Sequence, residues 1–388
     1  MANTLNELAQ LIPEFSIKEH ARIEDYRDEA EDIAQLYYKT YNIKPGDTLT
    51  QLSYPYPEAL DPIWIDATAR DRDTIWKVVT DTRNGHVIGS GTVQLNREHQ
   101  RAYVRGVMID PAYQKYGVGG YILVNAFQKI IADHRDAIKL FWSESRTAHS
   151  GSQKIAEAAG MRPVGLLPNK DYFLEKRESD LLLILYAMNA LKRRRNEPQL
   201  ISEVLPLYNV IAQQFRLDPV VPVQVSPTPS NGYQVKGVIT HDVYQYCYCT
   251  YTAYGKELKF LINPRTQVAE KTWFSPDIDP VTLKTLLRVA LDSLSPWLFY
   301  MECYISAFQP QLQRVFADLG FTPTGYLPGW DLVDGQREDS ILFSRVQDHP
   351  AWEALQLTPR AEKIAGVVLG QLAIGKKYLN CLRQMGKL

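Results

Sequence analysis

The chain has few cysteines for its length: Cys247, Cys249, Cys303 and Cys381 among 388 residues. Because no Cys-x-x-Cys pair is present, a zinc site is disfavoured and we expect no metal. Cys247 and Cys249 would point to one face of an extended strand and could not readily pair with each other. We therefore expect reduced cysteines and a cytoplasmic protein.

Excess charge and long apolar runs are also lacking. The formal net charge of -1 argues against a nucleic-acid-binding protein. One basic run, LKRRRNE at 191–197, fits a solvated helix end or a linker as well as a binding patch. No run reaches the roughly 18 apolar residues that cross a bilayer. The amino-terminal residues show no basic region followed by an apolar core, so we expect neither a transmembrane segment nor an export signal.

The length suffices for two domains, and the first half has the pattern of a mixed α/β fold. Helical spacing covers 22–41, and a Pro- and Tyr-rich loop covers 44–62. Three strand-like runs follow, and Asn84-Gly85 between the first two predicts a hairpin. The further elements expected up to residue 188 are a helix near 120–131, a strand at 138–145, a helix at 150–160, and strands at 162–173 and 180–188.

Part of this pattern occurs twice. Leu140, Phe141 and Glu144 match Leu298, Phe299 and Glu302 at an offset of 158. Seven further positions, from Gly160 to Glu178, match Gly320 to Glu338 at an offset of 160. The constant offset indicates a duplicated strand–helix–strand–strand unit. A proline-rich connector around one helix separates the copies, and a tail at 358–388 has the pattern of a helix capped by Thr358.

The junction VRGVMIDPAYQKYGVGGYILVNAFQKII, residues 104–131, places a glycine-containing turn between a strand and a helix. Glycines let the backbone approach a ligand closely, and the start of a helix offers unpaired N–H groups to an anion. The spacing fits neither a P-loop nor a dinucleotide-binding fingerprint. This turn therefore predicts a cradle for a phosphate or diphosphate.

The form V-x-I-D-P-x-x-Q-x-x-G-x-G-G, with SQKIAEAAGMRPVG after it, resembles the Gcn5-related N-acetyltransferase (GNAT) superfamily over roughly residues 14–188. The resemblance implies two tandem GNAT-like domains, each a central, mostly antiparallel sheet flanked by helices. The expected boundaries are 1–190 for the CoA-binding domain, 191–232 for a linker with a helix, 233–348 for a degenerate GNAT-like domain and 349–388 for a helical tail.

The resemblance also implies an acyl-CoA co-substrate and its binding residues. These are Val107, Met108, Ile109, Gln114, Lys115, Tyr116, Gly117, Val118, Gly119, Gly120 and Ser152. Many family members carry an Asn and, seven residues later, a Tyr on the helix after the fifth strand, but here those positions hold His149 and Ala156. Glu144 and His149 are the candidate catalytic acid–base groups. Arg146 is a candidate for holding an anionic group, and Asp110 more plausibly caps the turn.

The second copy lacks the glycine turn. Its corresponding segment carries Asp277 and Asp279, which would repel a diphosphate, so we expect this copy to bind no CoA. The leading hypothesis is transfer of an acyl group, acetyl by family resemblance, from CoA to an amine of a small molecule or a peptide.

Two alternatives remain open. The first is a fatty-acyl or carrier-protein-dependent enzyme that acts on a peptide or lipid-like acceptor, with the basic run at 192–195 docking an acyl-carrier protein. The second is a non-catalytic acyl-CoA-binding scaffold, which the missing tyrosine would suit.

Overall fold

A computed structural model describes residues 20–44, 54–114, 120, 124–187, 189–229, 232, 234–294, 296–348 and 350–384. Fourteen strands in these ranges form one continuous sheet in the order β1-β2-β3-β4-β5-β7-β6-β13-β14-β12-β11-β10-β9-β8. All strand pairs are antiparallel except β4–β5 and β11–β12, which are parallel. The predicted mixed α/β class, with a mostly antiparallel sheet flanked by helices, is confirmed.

The first half contributes seven strands and four α-helices to the described residues. The strands are β1 (Ala21–Asp25), β2 (Thr74–Asp81), β3 (His86–Asn96), β4 (Arg101–Ile109), β5 (Leu140–Arg146), β6 (Arg162–Phe173) and β7 (Lys176–Tyr186). The helices are α1 (Ala30–Thr40), α2 (Pro62–Ala69), α3 (Val124–His134) and α4 (Gly151–Ala158). β2 and β3 are joined at Asn84-Gly85, where Gly85 has a φ of 75°, as the hairpin signal predicts.

A connecting helix, α5 (Leu205–Phe215), leads to the second half. Its strands are β8 (Lys236–His241), β9 (Cys247–Ala253), β10 (Lys256–Asn263), β11 (Val268–Phe274), β12 (Tyr300–Ser306), β13 (Thr322–Val333) and β14 (Gln336–Val346). The later helices are α6 (Pro280–Leu294), α7 (Pro310–Asp318) and the tail helix α8 (Pro359–Gln384). The order β5-α4-β6-β7 recurs as β12-α7-β13-β14, in step with the internal sequence repeat.

The two halves meet where β6 pairs with β13, at Gly165 opposite Gly325. A Cβ atom on Gly165 would lie 2.8 Å from the Cα of Gly325 and from the carbonyl oxygen of Thr324. Glycine is therefore needed for this close backbone approach. The repeat explains why both partners are glycine, since they are equivalent positions of the two copies.

One apolar core extends across this junction. It includes Leu166 and Leu182 of the first half, Leu342 and Phe343 of the second, and Ile364 of the tail helix. Burial of this much apolar surface drives folding and ties the halves together. Helix α8 begins at Pro359, and the hydroxyl of Thr358 accepts from the backbone N–H of Ala361 at 3.4 Å. No helix in the described part of the chain is long and apolar enough to cross a membrane.

Three local expectations from the sequence are corrected. The helical pattern at 22–41 begins as strand β1, and the helix starts only at Ala30. The loop at 44–62 ends in a short 3₁₀-helix, Pro57–Leu60, before α2 begins at Pro62. In the basic run, Arg194 is buried against Asp339 at 2.5 Å, and Arg195 pairs with Glu338 at 2.6 Å. Both arginines tie the connector to the second half, and the burial of Arg194 removes that residue from a docking patch.

Candidate active site

A cleft of about 1510 Å³ lies between the two halves. The first half lines it with residues of β4, β5 and α4, and the second half adds polar and aromatic side chains. Those of the second half include Glu270, Thr272, Glu302, Tyr304 and Trp330. Large, partly apolar clefts with convergent polar groups are the usual form of small-molecule sites.

On the first-half wall of the cleft, strands β4 and β5 pair and then separate. Their parallel register runs from Arg101 opposite Leu140 to Val104 opposite Ser143, yet β4 continues to Ile109. The backbone beyond Val104 therefore borders an opening between the two strands. The predicted pantetheine-contacting residues lie along that border, where Val107 is exposed and Met108 and Ile109 are buried.

The separation follows from a bulge in β4. The register between β3 and β4 shifts between Ser90 and Thr92, and Gly106 on β4 has a φ of 60°. A Cβ atom on Gly106 would lie 2.8 Å from the hydroxyl oxygen of Tyr37. A bulge bends a strand and increases its twist, so this glycine directs β4 away from β5.

Most of the predicted diphosphate loop, namely Lys115, Tyr116, Gly117, Val118 and Gly119, lies outside the described residues. The side-chain amide of Gln114 donates to the backbone carbonyl of Ile109 at 3.0 Å, so it joins the start of the loop to the end of β4. At Gly120 an added Cβ would meet no atom within 4 Å. The Asp110 carboxylate accepts from the N–H of Ala112 at 2.9 Å, in agreement with its predicted capping role.

Three predicted positions line the cleft on helix α4 or just before it. The hydroxyl of Ser152 is buried and has no hydrogen-bond partner among the described residues, which fits a ligand that would supply one. Ala156 has no proton to donate. The exposed His149 accepts from the N–H of Gly151 through Nδ1 at 3.3 Å, so its ring helps to cap the helix.

Glu144 belongs to a buried ion cluster rather than standing alone. The ammonium group of Lys170 lies 3.1 Å from Glu144 and 3.2 Å from Glu302, and 3.7 Å from Glu270. The attraction of these carboxylates raises the pKa of Lys170 despite its burial. The lysine therefore stays charged and holds together carboxylates from both halves.

Two more carboxylates, those of Asp171 and Asp180, lie beside this cluster. Burial raises the pKa of Asp171 to about 6, although the hydroxyl of Tyr56 donates to it at 2.8 Å. Burial also raises the pKa of Glu302 to about 7 and that of Asp180 well above its ordinary value. Carboxylates with raised pKa values in a cleft are typical of functional sites.

The cleft also contains arginines with different partners. The guanidinium of Arg146 forms a two-point ion pair with Glu178 at 2.6 and 2.7 Å. Arg146 is therefore poorly suited to hold a substrate anion, because its Nε and Nη2 atoms both donate to Glu178. Arg105 also lines the cleft and has no ion-pair partner among the described residues. Sequence reasoning did not single it out.

The second copy has different contacts at the corresponding places. The carboxylate of Asp279 accepts from the backbone N–H groups of Val281 and Thr282 at 3.0 and 2.9 Å. This side chain satisfies the amides at the start of α6 that would otherwise face an anion. Within the described residues, no group of three or more His, Cys, Asp or Glu side chains could hold a metal ion.

Comparison with known proteins agrees with this geometry. Residues 30–161 match the family model described as the acetyltransferase (GNAT) family. A search of curated proteins gave no match. Solved structures similar to this chain include ribosomal-protein-S5-alanine acetyltransferase from Vibrio fischeri, with 14% identity, a TM-score of 0.36, and coverage of 44% of this chain and 94% of that one. Spermidine N-acetyltransferase from Vibrio cholerae has 14% identity, a TM-score of 0.35, and coverage of 46% and 99%.

The matched segment defines one domain of the chain as a CoA-dependent N-acetyltransferase domain. Residues 30–161 form an acetyltransferase domain of the GNAT family, a family that uses acetyl-CoA as its co-substrate. The assignment rests on the matched segment and confirms the resemblance noted in the sequence.

Proposed function

We propose that this protein transfers an acyl group from CoA to an amine acceptor that binds in the cleft between its two halves. The observation that supports this most is the opening between β4 and β5, which borders the cleft within the matched segment. The donor would lie along Val107–Ile109 and the glycine turn, with the acyl end directed to the cleft. Acetyl is the acyl group that the family implies.

The chemistry requires a neutral amine, hydrogen bonds to the oxyanion as it forms, and a proton for the leaving thiolate. Gly106 and Val107 lie in the β4 bulge, between the residues that pair with Ser90 and Thr92, and their backbone N–H groups would be the donors to the oxyanion. Glu144 lines the cleft and would accept the amine proton, directly or through water. His149 is the candidate that returns a proton to the thiolate, since Ala156 cannot.

The second half would act as a wall of the acceptor site rather than as a second enzyme. In this proposal residues 1–190 form the catalytic domain, 191–232 the linker, 233–348 the degenerate domain and 349–388 the tail. The support is that Glu302, Tyr304 and Trp330 line the same cleft as Glu144. Amine acceptors, small or peptidic, would then contact both halves.

Release of free thiol from acyl-CoA in the presence of an amine panel tests the proposal. We expect amine-dependent release with acetyl-CoA, and a fall in kcat of about 100-fold or more in Glu144→Gln, because a general base contributes about 10²–10⁴. A Glu175→Gln variant, which changes an exposed carboxylate in the β6–β7 turn, should keep full activity. No release with any acyl-CoA would leave a non-catalytic scaffold as the function.

The same assay addresses a longer acyl group. The volume of the cleft, about 1510 Å³, and the small side chain of Ala156 leave room for one. Octanoyl- and palmitoyl-CoA should therefore be compared with acetyl-CoA. A rate that falls steeply with chain length would exclude the fatty-acyl alternative.

A further inference from the structure

A buried carboxylate with one unpaired oxygen lines the floor of the cleft. Asp180 is 2% exposed and lines the cleft, and its Oδ2 atom has no hydrogen-bond partner among the described residues. Leaving a buried carboxylate oxygen unpaired costs free energy in either protonation state. A partner from outside the chain would remove that cost.

The cations near Asp180 do not compensate its negative charge, because other carboxylates already bind them. The ammonium of Lys170 is shared by Glu144, Glu270 and Glu302. Arg146 lies opposite Asp180 in the β5–β7 register, but its guanidinium is bound by Glu178. The floor therefore has more carboxylates than cations, because Asp171 is also there and Tyr56 is its hydrogen-bond donor among the described residues.

The duplicated half shows that an acid is not required at this place in the fold. Asp180 pairs with Leu167 across β6–β7, and Ser340 pairs with Leu327 at the equivalent place across β13–β14. The hydroxyl of Ser340 donates to Asp331 at 2.8 Å, so the second copy is satisfied internally. The carboxylate of Asp180 is particular to the half that contains the acetyltransferase domain.

Aromatic rings line the same cleft. Tyr103 stacks on Trp142 with ring centroids 3.9 Å apart, and Trp142 packs edge-on against Trp330 at 5.3 Å. Tyr304 stacks on Trp330, also at 5.3 Å. Aromatic faces attract cations, and Arg101 already lies over the Trp330 ring at 4.3 Å. The carboxylates, with the other rings of the cleft beside them, favour a positively charged ligand group.

We propose that Asp180, with Asp171 and Glu144 beside it, binds a second, non-reacting cationic group of the acceptor, either an ammonium or a guanidinium. The inference rests on the proposed function in placing the acceptor in this cleft. The acceptor is then an amine that carries a further positive charge, supplied by a small diamine or by a basic peptide side chain.

Cation binding is coupled to protonation at this site. Burial and the charges of Asp171 and Glu144 raise the pKa of Asp180, while Lys170 opposes them. Glu178 raises it further, and Arg146 lies across the strand pair with its charge matched by Glu178. An arriving cation stabilises the ionised form, so its binding should release a proton wherever Asp180 is still protonated.

Calorimetry without CoA tests the subsite, with n-butylamine and 1,4-diaminobutane as probes of equal chain length. The diamine should bind the wild-type protein at least 10-fold more tightly than the monoamine. In Asp180→Asn, which keeps the shape and removes the charge, that preference should disappear. Asp292→Asn, which removes an exposed carboxylate of α6, should keep it. Binding heats in phosphate and Tris buffers should differ for the wild type and differ less for Asp180→Asn.

The peptides Ala-Lys-Ala and Ala-norleucine-Ala distinguish the two sources of the cation. A preference for the lysyl peptide without one for the diamine would identify a peptide acceptor. Equal binding within both probe pairs, or a preference that persists in Asp180→Asn, would overturn the proposal. If Asp180→Asn does not fold, Asp171→Asn is judged by the same criteria. Because these measurements need no acyl transfer, cation binding can succeed even if the proposed activity fails.

Discussion

Both halves contain a pair of parallel strands that separate, but the two openings differ in what crosses them. In the first half β4 leaves β5 after Val104, and Val107 beyond that point is exposed. In the second half β11 leaves β12 after Ala269. There the hydroxyl of Thr272 donates to the carbonyl of Glu302 at 2.6 Å, and Lys170 bridges Glu270 and Glu302. The second opening is thus crossed by side chains from both halves of the protein, whereas Val107 at the first opening is exposed.

The helices that follow these strands also differ, in whether a side chain of the protein already occupies the helix start. Asp279 supplies an internal anion to the start of α6, whereas the sequence before α3 has glycines and no acid between Asp110 and Val124. A helix start that is already capped by a carboxylate repels a further anion. We therefore expect the CoA diphosphate to bind in the first half.

Removing the lysine that bridges the halves should have the largest effect. Lys170→Met leaves Glu144, Glu270 and Glu302 without their shared cation, so we expect a loss of about 3–5 kcal/mol in unfolding free energy. Urea unfolding measures this change in unfolding free energy. Lys129→Met removes an exposed pair with Asp133 and should leave the free energy of unfolding nearly unchanged. A loss below about 1 kcal/mol for Lys170→Met would mean that this cluster does not join the halves.

Closing the first opening should have an intermediate effect. Gly106→Ala forces a Cβ into a left-handed backbone and against Tyr37, so we expect a loss of about 2–3 kcal/mol and weaker CoA binding. Gly85→Ala is the matched control, because Gly85 also has a positive φ but no atom lies within 4 Å of its added Cβ. If both variants lose equal stability and bind CoA equally, the contact with Tyr37 does not shape the opening.

Removing the carboxylate that caps the start of α6 should have the smallest effect. Asp279→Ala should cost about 1 kcal/mol and leave CoA binding unchanged, whereas Asp277→Ala, at an exposed ion pair with Lys256, should cost less. Hydrogen bonds from the helix start lower the pKa of Asp279. Its stabilisation is therefore present above the ordinary pKa of an aspartate and is lost as the pH falls below that value. Tighter CoA binding by Asp279→Ala would show that the second site is only masked.

Local signals in the sequence predicted much of the fold. The hairpin at Asn84-Gly85, the strand–turn–helix order and the repeat with its constant offset depend on neighbouring residues or on identity between copies. Strand β1 was missed because its five residues, Ala21–Asp25, adjoin a strongly helical pattern. Its pairing with β2, from Ala21 opposite Asp81 to Asp25 opposite Lys77, is a long-range contact that no local pattern specifies.

The candidate site was less predictable, because it too depends on contacts between residues far apart in the sequence. Glu144 was identified, but its partner Lys170 lies 26 residues away and Glu302 lies 132 residues beyond that lysine. The assignment of Arg146 to a substrate anion failed because its pairing with Glu178 depends on the register of β5 and β7. Lys170, Asp171 and Asp180 did give a signal, since charged residues inside apolar strand runs are seldom buried without a role.

A crystal structure of the protein with coenzyme A tests the central claim most directly. The account predicts one CoA per chain, with its diphosphate at Gly117–Gly120 and its pantetheine arm along Val107–Ile109. CoA at the start of α6 between β11 and β12, or a first-half turn that stays empty at saturating CoA, would contradict it.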